Sequence, residues 1–221
     1  MFLKIPNLLT PAEVARMMQL AREMHFVDGR ATNPANITKE NLQADAADGR
    51  YAESVQTVVA AFSRSREFID FAMPKRIAPP LVSRYQPGMK YGGHADAAIM
   101  NLPGVRLRSD LSCTVFLSDP ASYDGGELSI EVGNQMIAFK LQPGAAIVYP
   151  STTLHEVLEV TRGERVVSIT FIESLIADQQ QRALVHQLGE IAALEGNAMS
   201  WEGRARLDVV RQNLARMWSV T

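Results

Sequence analysis

The chain is short of cysteine, of net charge and of long apolar runs. Its only cysteine, Cys113, cannot form an internal disulfide, and its place in an alternating apolar segment predicts a small buried side chain. The 22 basic and 24 acidic residues nearly cancel without any block of like charges, so neither a nucleic acid nor a membrane is expected as partner. No window reaches the ~18 apolar residues of a membrane span, and Lys4 and Pro6 interrupt the run that a secretion signal requires. A cytoplasmic protein is expected.

The length of 221 residues and the hydrophobic content of 47% favour one substantial core. We expect a single structural unit of α+β class with three regions. They are an N-terminal helical support region (residues 1–76), a β domain (77–174) and a C-terminal helical extension (175–221).

The N-terminal region opens on a helix signal. Thr10 can cap a helix, Pro11 fits its first position and Glu13 completes a capping box. Residues 28–50 are polar and rich in turn-forming residues, which predicts an irregular loop long enough to be functional. Apolar residues at helical spacing then predict a second amphipathic helix, and these residues are Val55, Val58, Val59 and Phe62.

The middle region changes to short apolar runs bounded by Gly, Pro, Asp or Asn, a pattern typical of a β-sandwich or jelly roll. The runs are residues 81–85, 111–117, 127–132, 136–141, 145–149 and 166–172. After residue 174, apolar residues recur at spacings of three and four, which predicts helices again. We expect these tail helices to pack on the outside of the β core or on another subunit.

One imidazole and one carboxylate stand two residues apart, at His94 and Asp96. Side chains at positions i and i+2 of an extended strand point to the same face, so this pair can bind one ion. His155, after a later predicted strand, offers a third ligand. Two histidines and one carboxylate form the facial triad that leaves positions open on iron(II). Ordinary surface or hydrogen-bonded histidines are the alternative for so short a pattern.

Arg165 follows His155 at the head of an apolar strand. A guanidinium buried there requires a carboxylate partner, and the chain offers no evident one. A dicarboxylic co-substrate would supply this partner.

Longer motifs agree with a known family in both order and spacing. They are Arg84-Tyr85-Gln86-Pro87-Gly88, Tyr91, His94-Ala95-Asp96, Leu117-Ser118-Asp119, Tyr123-Asp124-Gly125-Gly126-Glu127-Leu128, Pro143-Gly144, Tyr149-Pro150-Ser151, Leu154-His155 and Thr161-Arg162-Gly163-Glu164-Arg165. On these residues, nearly the whole chain resembles the iron(II)- and 2-oxoglutarate-dependent dioxygenases of the prolyl-4-hydroxylase-like type. Within that group it resembles the bacterial PKHD-type hydroxylases.

The resemblance implies a double-stranded β-helix (jelly roll) as the core. It implies His94, Asp96 and His155 as the catalytic residues that bind Fe(2+), and Arg165 as the partner of the far carboxylate of 2-oxoglutarate. Tyr85 matches a tyrosine whose hydroxyl supports that carboxylate, and a half-buried strand aromatic is the alternative. Dioxygen (O2) is the second co-substrate, and L-ascorbate (vitamin C) is a candidate reductant.

The implied activity is that of an oxidoreductase. It would hydroxylate an unidentified peptide, siderophore-related compound or small metabolite with release of succinate and CO2, in a family linked with bacterial iron uptake. A non-catalytic, cupin-like protein that binds or senses metal and a small acid is the alternative. A zinc hydrolase is disfavoured, because no neighbouring glutamate resembles the general base of the zinc hydrolase helix motif. The tail helices alone motivate a helical interaction module.

Residues 28–49 and 97–110 are predicted to form the substrate mouth. The second segment, a loop, follows the His94 and Asp96 pair directly, and it has an apolar character that a solvated loop does not need, at Met100, Leu102 and Val105. The first segment is longer than a plain helix connection requires. It is hydrophilic and has side chains that can offer hydrogen bonds, which are Asn33, Asn36, Lys39, Asn41 and Gln43. A disordered insertion with no role is the alternative. The tail helices are a candidate interface for a homo-oligomer.

Overall fold

The computed structural model describes residues 1–33, 36–102 and 105–220. Within them lie five α-helices and two 3-10 helices. The α-helices are α1 (Pro11–Glu23), α2 (Tyr51–Arg64), α3 (Arg66–Ala72), α4 (Gln179–Glu195) and α5 (Trp201–Trp218), and the 3-10 helices are Gly29–Thr32 and Pro120–Ser122. None of these helices combines the length and the apolar character needed to cross a membrane.

The same residues contain seventeen short strands. In chain order they are β1 (Leu3–Ile5), β2 (Phe26–Asp28), β3 (Lys39–Glu40), β4 (Leu42–Ala44), β5 (Pro74–Ile77), β6 (Leu81–Tyr85), β7 (Lys90–His94), β8 (Ile99–Leu102), β9 (Val105–Arg108), β10 (Leu111–Phe116), β11 (Asp124–Gly125), β12 (Leu128–Val132), β13 (Gln135–Phe139), β14 (Ala146–Pro150), β15 (His155–Val157), β16 (Val160–Arg162) and β17 (Arg165–Ser174). Each of the six predicted β runs corresponds to one of these strands, with ends shifted by at most two residues.

Most strands belong to two sheets, and the pairings among the described strands are antiparallel. The larger sheet has the order β1-β14-β10-β17-β6-β4-β2, with β5 also paired to β17. The smaller sheet has the order β13-β12-β15-β7-β3, while β8-β9 and β11-β16 form separate pairs. The predicted combination of helices with an antiparallel β core is confirmed.

Alternate residues of the larger sheet face two different cores, because successive side chains of a strand point to opposite faces. Cys113 and Val115 on β10 pack with helix residues such as Phe62 of α2. The next residue, Phe116, belongs to a second apolar cluster together with Ile130 of the smaller sheet. Helices therefore cover one face of the larger sheet and the smaller sheet covers the other. The predicted burial of Cys113 is confirmed.

The two predicted N-terminal helices are confirmed. At the start of α1, the Thr10 hydroxyl accepts from the Glu13 N–H at 3.3 Å and the Glu13 carboxylate accepts from the Thr10 N–H at 2.8 Å. Helix α2 buries Val58 and Phe62 completely. Helix α3 was not predicted, because it follows α2 almost directly. Ser65 caps this helix, and its hydroxyl accepts from the Phe68 N–H at 3.3 Å.

Both segments predicted as irregular loops contain regular structure, so that part of the prediction is wrong. Residues 28–49 include a 3-10 helix and the strands β3 and β4, and residues 97–110 include the hairpin β8-β9. These strands are two to four residues long. Such short strands are stabilised by pairing with neighbouring strands, and a local sequence pattern does not reveal that pairing. The N-terminal region is therefore not purely helical. Residues 34, 35, 103 and 104 of these segments lie outside the described residues.

The tail helices pack on the same chain. The His186 ring of α4 meets the Phe71 ring of α3 edge-on, with 5.3 Å between centroids. Helix α5 packs against α4, and a β-bridge between Ile176 and Ser219 connects the end of α5 to the segment that precedes α4. The tail helices thus extend the helical layer that begins with α1 to α3.

Candidate metal and oxo-acid site

The structure brings His94, Asp96 and His155 together. One ligand atom from each lies within 4.8 Å of the other two, a separation at which three donors can hold one metal ion. His94 Nε2 is 4.0 Å from Asp96 Oδ1, and His155 Nε2 is 3.7 Å from Asp96 Oδ2. The two histidines face each other across the β7-β15 pairing of the smaller sheet. Their side chains and that of Asp96 are only 6% to 11% exposed.

Each histidine is oriented by a backbone carbonyl. Nδ1 of His94 lies 2.9 Å from the oxygen of Gly92, and Nδ1 of His155 lies 3.0 Å from the oxygen of Thr153. A carbonyl can only accept, so Nδ1 carries the proton and Nε2 presents its lone pair to the cluster. Burial, reinforced by the nearby His155 ring, lowers the pKa of His94 to about 4. The imidazole is therefore neutral near pH 7, which is the form that binds metals.

Asp96 is placed differently from the prediction. Strand β7 ends at His94, so the two residues do not share an extended strand. Instead, the Asp96 N–H donates to the carbonyl of Ser151 at 3.2 Å. This bond, to a turn that precedes His155, returns the carboxylate to the cluster. The prediction that His94 and Asp96 lie close together is correct, but the predicted reason, a shared extended strand, is wrong.

A chain of buried serine hydroxyls supports Asp96, and sequence reasoning missed it. Ser112 on β10 donates to Asp96 Oδ2 at 2.5 Å, and the Ser151 hydroxyl lies 2.7 Å from that of Ser112. Ser109 donates to Ser151 at 2.7 Å. All three are at most 6% exposed. Such partners fix the orientation of a metal-binding carboxylate. Isolated serines at separate places in the sequence gave no signal of this contact.

Aromatic rings enclose both imidazoles. The Tyr91 ring stacks on His94, with 3.7 Å between centroids and 17° between planes. The Tyr91 hydroxyl accepts from the Asn33 amide at 2.9 Å. Tyr149 meets the His155 ring edge-on at 5.1 Å. These contacts restrict rotation of both rings and reduce access of water.

Arg165 is 1% exposed, yet no carboxylate lies within ion-pairing distance of it in the described part of the chain. Its Nε has no hydrogen-bond partner there. The guanidinium carbon lies 4.9 Å from the ring centroid of Tyr85, its opposite residue in the β6-β17 register, and 5.9 Å from that of Phe116. A buried charge without an opposite charge beside it costs several kcal/mol, on the order of the penalty for an isolated ion. The arrangement therefore favours an anionic ligand.

Tyr149 connects the two parts of the interior. Burial raises the pKa of its hydroxyl well above the usual value, Asp96 raises it further and Arg165 lowers it. Both charged groups thus act on the same buried phenol. Tyr149 contacts the His155 ring, and it belongs to the same buried cluster as Phe116, the ring beside Arg165, so the metal-binding candidates and Arg165 share one interior between the sheets.

A glycine makes room for the Arg165 side chain. Gly126 has a φ of +67°, and a Cβ built there would lie 3.0 Å from Arg165 Cδ and 2.8 Å from Val160 Cγ2. Any other residue would be strained in backbone and would press on the guanidinium stem. The preceding residue, Gly125, also has a positive φ, of +70°.

Comparisons with known proteins identify the class. A profile of the 2OG-Fe(II) oxygenase superfamily matches residues 80–173, which include all the candidate site residues. A PKHD-type hydroxylase of Sphingopyxis alaskensis is 52% identical over 216 residues, covering 97% of this chain and 98% of that protein. Another, from Paraburkholderia phymatum, is 43% identical over 229 residues and covers the whole of both chains.

Solved structures agree in fold. An oxidoreductase of the 2OG-Fe(II) oxygenase family from Burkholderia pseudomallei aligns with a TM-score of 0.60 and 19% identity, covering 77% of this chain and 84% of that one. The chain belongs to the 2OG-Fe(II) oxygenase superfamily, and it is an oxygenase whose family implies iron(II) and 2-oxoglutarate. Within that superfamily it belongs to the PKHD-type hydroxylases.

Proposed function

We propose that this chain hydroxylates a substrate with iron(II), 2-oxoglutarate and dioxygen, releasing succinate and CO2. The observation that carries the proposal is a buried Arg165 without a carboxylate, in the same interior as His94, Asp96 and His155. The three ligands suit a divalent metal, and the guanidinium suits a carboxylate. 2-Oxoglutarate is the acid that this superfamily uses with its iron.

The two facing sheets support the same proposal. His94 and His155 stand on the smaller sheet, Arg165 stands on the larger, and an apolar cluster joins the two. We propose that this pair of antiparallel sheets is a double-stranded β-helix, with residues 77–174 as its core and residues 1–76 and 175–221 as its supports.

Bound iron and 2-oxoglutarate would supply the oxidising chemistry. In the proposed site, His94 and His155 would bind the metal through Nε2, and Asp96 would bind it through a carboxylate that Ser112 orients. Arg165 would hold the far carboxylate of the oxo-acid, and the Tyr85 hydroxyl would support it. The surrounding aromatic rings limit entry of water, which protects the chemistry from side reactions.

The substrate class belongs to the same proposal. A peptide, a siderophore-related compound or a small metabolite would be hydroxylated in the cytoplasm, in connection with bacterial iron uptake and with L-ascorbate as reductant. The family membership supports hydroxylation in general and leaves the choice among these substrates to experiment.

Metal binding and succinate formation, measured on alanine variants, test the proposal. His94→Ala, Asp96→Ala and His155→Ala should each weaken iron(II) binding at least about tenfold and abolish succinate formation, since each removes one of three protein ligands. His25→Ala is the matched control, because His25 is exposed and lies far along the chain from the site. Full activity in any folded variant of the three would remove that residue from the ligand set.

Product formation also separates catalysis from binding alone. A cupin-like sensor of metal and acid would bind both without consuming the acid. Succinate formed by the wild-type chain under oxygen, and absent without iron(II), supports the oxygenase. Tight binding of iron(II) and 2-oxoglutarate without succinate, even with cell extract as a source of substrate, would contradict it.

A further inference from the structure

Three alternating residues of one extended segment are polar and buried. Lys39, Asn41 and Gln43 are 4%, 4% and 2% exposed, whereas Glu40 between them is exposed and Leu42 is half-buried. The segment crosses from the smaller sheet, where β3 pairs with β7, to the larger sheet, where β4 pairs with β6. It therefore lines the interior that contains the metal and oxo-acid site with a row of polar side chains.

Lys39 is the charged member of this row, and the only hydrogen bond of its ammonium among the described residues is to a neutral group. Its ammonium donates to the Thr32 hydroxyl at 2.6 Å, and that hydroxyl also lies 2.9 Å from Gln43 Oε1. No carboxylate lies within 4 Å of the ammonium among the residues that the structure describes. Asn41 Oδ1 and Gln43 Nε2 have no hydrogen-bond partner there. An ammonium has three donors, so a buried one with a single neutral acceptor is poorly satisfied.

The position of Lys39 relates it to the metal site. Its ammonium lies 5.2 Å from the ring centroid of Tyr91, and that ring stacks on His94. Burial lowers the pKa of Lys39 to about 8, and Asp96 is the acidic group that opposes this effect most. Leu42 pairs with Arg84 in the β4-β6 register, which places Asn41 at the level of Tyr85, and Tyr85 pairs with Arg165, so the polar row extends towards Arg165.

The formal charges of an occupied site would leave Lys39 without a buried counter-ion. Iron(II) and Asp96 together carry one positive charge, and a 2-oxoglutarate dianion with Arg165 carries one negative charge, so these four groups cancel. Asp28, the other acidic group that acts on Lys39, is exposed and paired with Arg30 at 2.6 Å. Protonated Lys39 therefore lacks a buried counter-ion, which is costly unless an anion joins it. The two negative charges of the co-substrate are already offset by Arg165 and by iron(II) with Asp96, so the arrangement favours a second acid.

We propose that Lys39, with Asn41 and Gln43, forms a carboxylate-binding subsite that receives an acidic group of the primary substrate. The inference rests on the proposed function, because it places the subsite beside the site for iron(II) and 2-oxoglutarate. The substrate class that it selects is an acid, such as a carboxylated peptide terminus, an amino acid or a hydroxy acid. The amides of Asn41 and Gln43 would bind neighbouring hydroxyl or amide groups of the substrate.

The test uses the full chain loaded with Mn(II) under nitrogen, with acetate as the probe. Mn(II) speeds the relaxation of acetate protons only when acetate binds close to the metal. At saturating 2-oxoglutarate, the wild-type chain should show a saturable relaxation effect, and Lys39→Met should lose it while binding 2-oxoglutarate within about twofold of wild type. Lys90→Met is the matched control, since Lys90 lies on the neighbouring strand, is exposed and faces Glu159 at 3.7 Å.

Each outcome decides a different point. Retained 2-oxoglutarate binding shows that Lys39→Met is folded, and Lys39→Arg, which keeps the charge, should retain the acetate effect. A rise of about tenfold or more in the 2-oxoglutarate Kd of Lys39→Met would mean that Lys39 binds the co-substrate, and would overturn the assignment to the primary substrate. No effect of Lys39→Met on either ligand would overturn the subsite. Absence of 2-oxoglutarate binding to the wild-type chain would contradict the proposed function itself.

Discussion

Two buried cations, Arg165 and Lys39, face the same interior, and they differ in what they can recognise. The guanidinium is planar and always charged, and its fork matches both oxygens of a carboxylate. The ammonium is a compact charge on a flexible stem. Arg165 lies among aromatic rings on the larger sheet, which fixes its plane. We therefore assign it the ligand that must be held in one orientation, which is the oxo-acid.

Arg165→Lys tests this assignment. The substitution keeps the charge and removes the fork, so we expect the apparent requirement for 2-oxoglutarate to rise much more than that for iron(II). The expected loss is ~2 kcal/mol, the scale of one charge-assisted hydrogen bond in a sheltered site. Saturation curves of succinate formation against each ligand measure both requirements. Equal increases in the two would make Arg165 a structural residue.

Lys39 should lower the stability of the folded protein at neutral pH. Its pKa is lowered by burial from 10.5 to about 8, so the unfolded chain binds more protons between these values and stability from this group rises with pH. At pH 7 the lowering corresponds to about 3 kcal/mol, which is an upper bound for the gain in unfolding free energy on Lys39→Met. Urea unfolding of the metal-free chain at pH 7 and pH 9.5 measures it, with Lys90→Met as control. A Lys39→Met variant less stable than wild type at pH 7 would contradict a cost of burying the Lys39 ammonium.

At the scale of elements, sequence patterns predicted what is local. The capping box at Thr10 and Glu13 placed the start of α1, and apolar alternation placed the long central strands. The positions of β3 and β4 were not predictable, because Lys39, Asn41 and Gln43 form a buried polar face where a sequence rule expects solvent. That exception lies beside the candidate site. Buried polar rows of this kind break the usual pattern where function requires them.

The candidate site was also predicted only in part. Motif spacing indicated the ligand residues and Arg165, because each has a side chain with restricted chemistry. Ser112 was missed, Ser151 was noted only within a motif, and Lys39 was predicted only as a hydrogen-bonding residue of the mouth loop. Serine and lysine occur widely on surfaces, and only the pairing of distant strands buries these three. Contacts of this type depend on the sheet order and not on any short window of sequence.

The hairpin β8-β9 follows Asp96 directly and stays the predicted wall of the substrate mouth. Ile99 on β8 is 44% exposed, whereas Leu107 on β9 is 1% exposed, so one side of the hairpin is anchored and part of the other is free to contact a ligand. We expect hydrogen exchange in residues 99–102 to slow when a substrate-containing extract fraction is added to the chain loaded with Mn(II) and 2-oxoglutarate. Residues 128–132 in the smaller sheet serve as an internal reference. Unchanged exchange in the hairpin would place the mouth elsewhere.

At the scale of the whole molecule, the tail hairpin is attached unevenly. Helix α4 buries Arg182 and Val185, and the Arg182 guanidinium donates to the carbonyl of Ile176 at 2.8 Å. Helix α5 has no buried residue. The apolar stripe that its spacing predicted is half-buried at Leu207 and Leu214 and exposed at Val210 and Met217, by 49% and 74% at the last two. Helix α4 therefore anchors the C-terminal extension, and helix α5 exposes apolar side chains.

An exposed apolar stripe on α5, within an extension that α4 anchors, is suited to association, because burying the stripe removes apolar area from water. We predict that the chain forms a homo-oligomer through α5 and that Val210→Glu combined with Met217→Glu dissociates it. Arg204→Glu on the same helix is the control, since Arg204 is exposed and lies outside the stripe. Sedimentation velocity across a range of concentrations measures the mass, and succinate formation should persist in the dissociated variant, because the candidate site residues all lie between residues 39 and 165. A monomeric wild-type chain at every concentration would contradict the prediction and leave the stripe to a different partner.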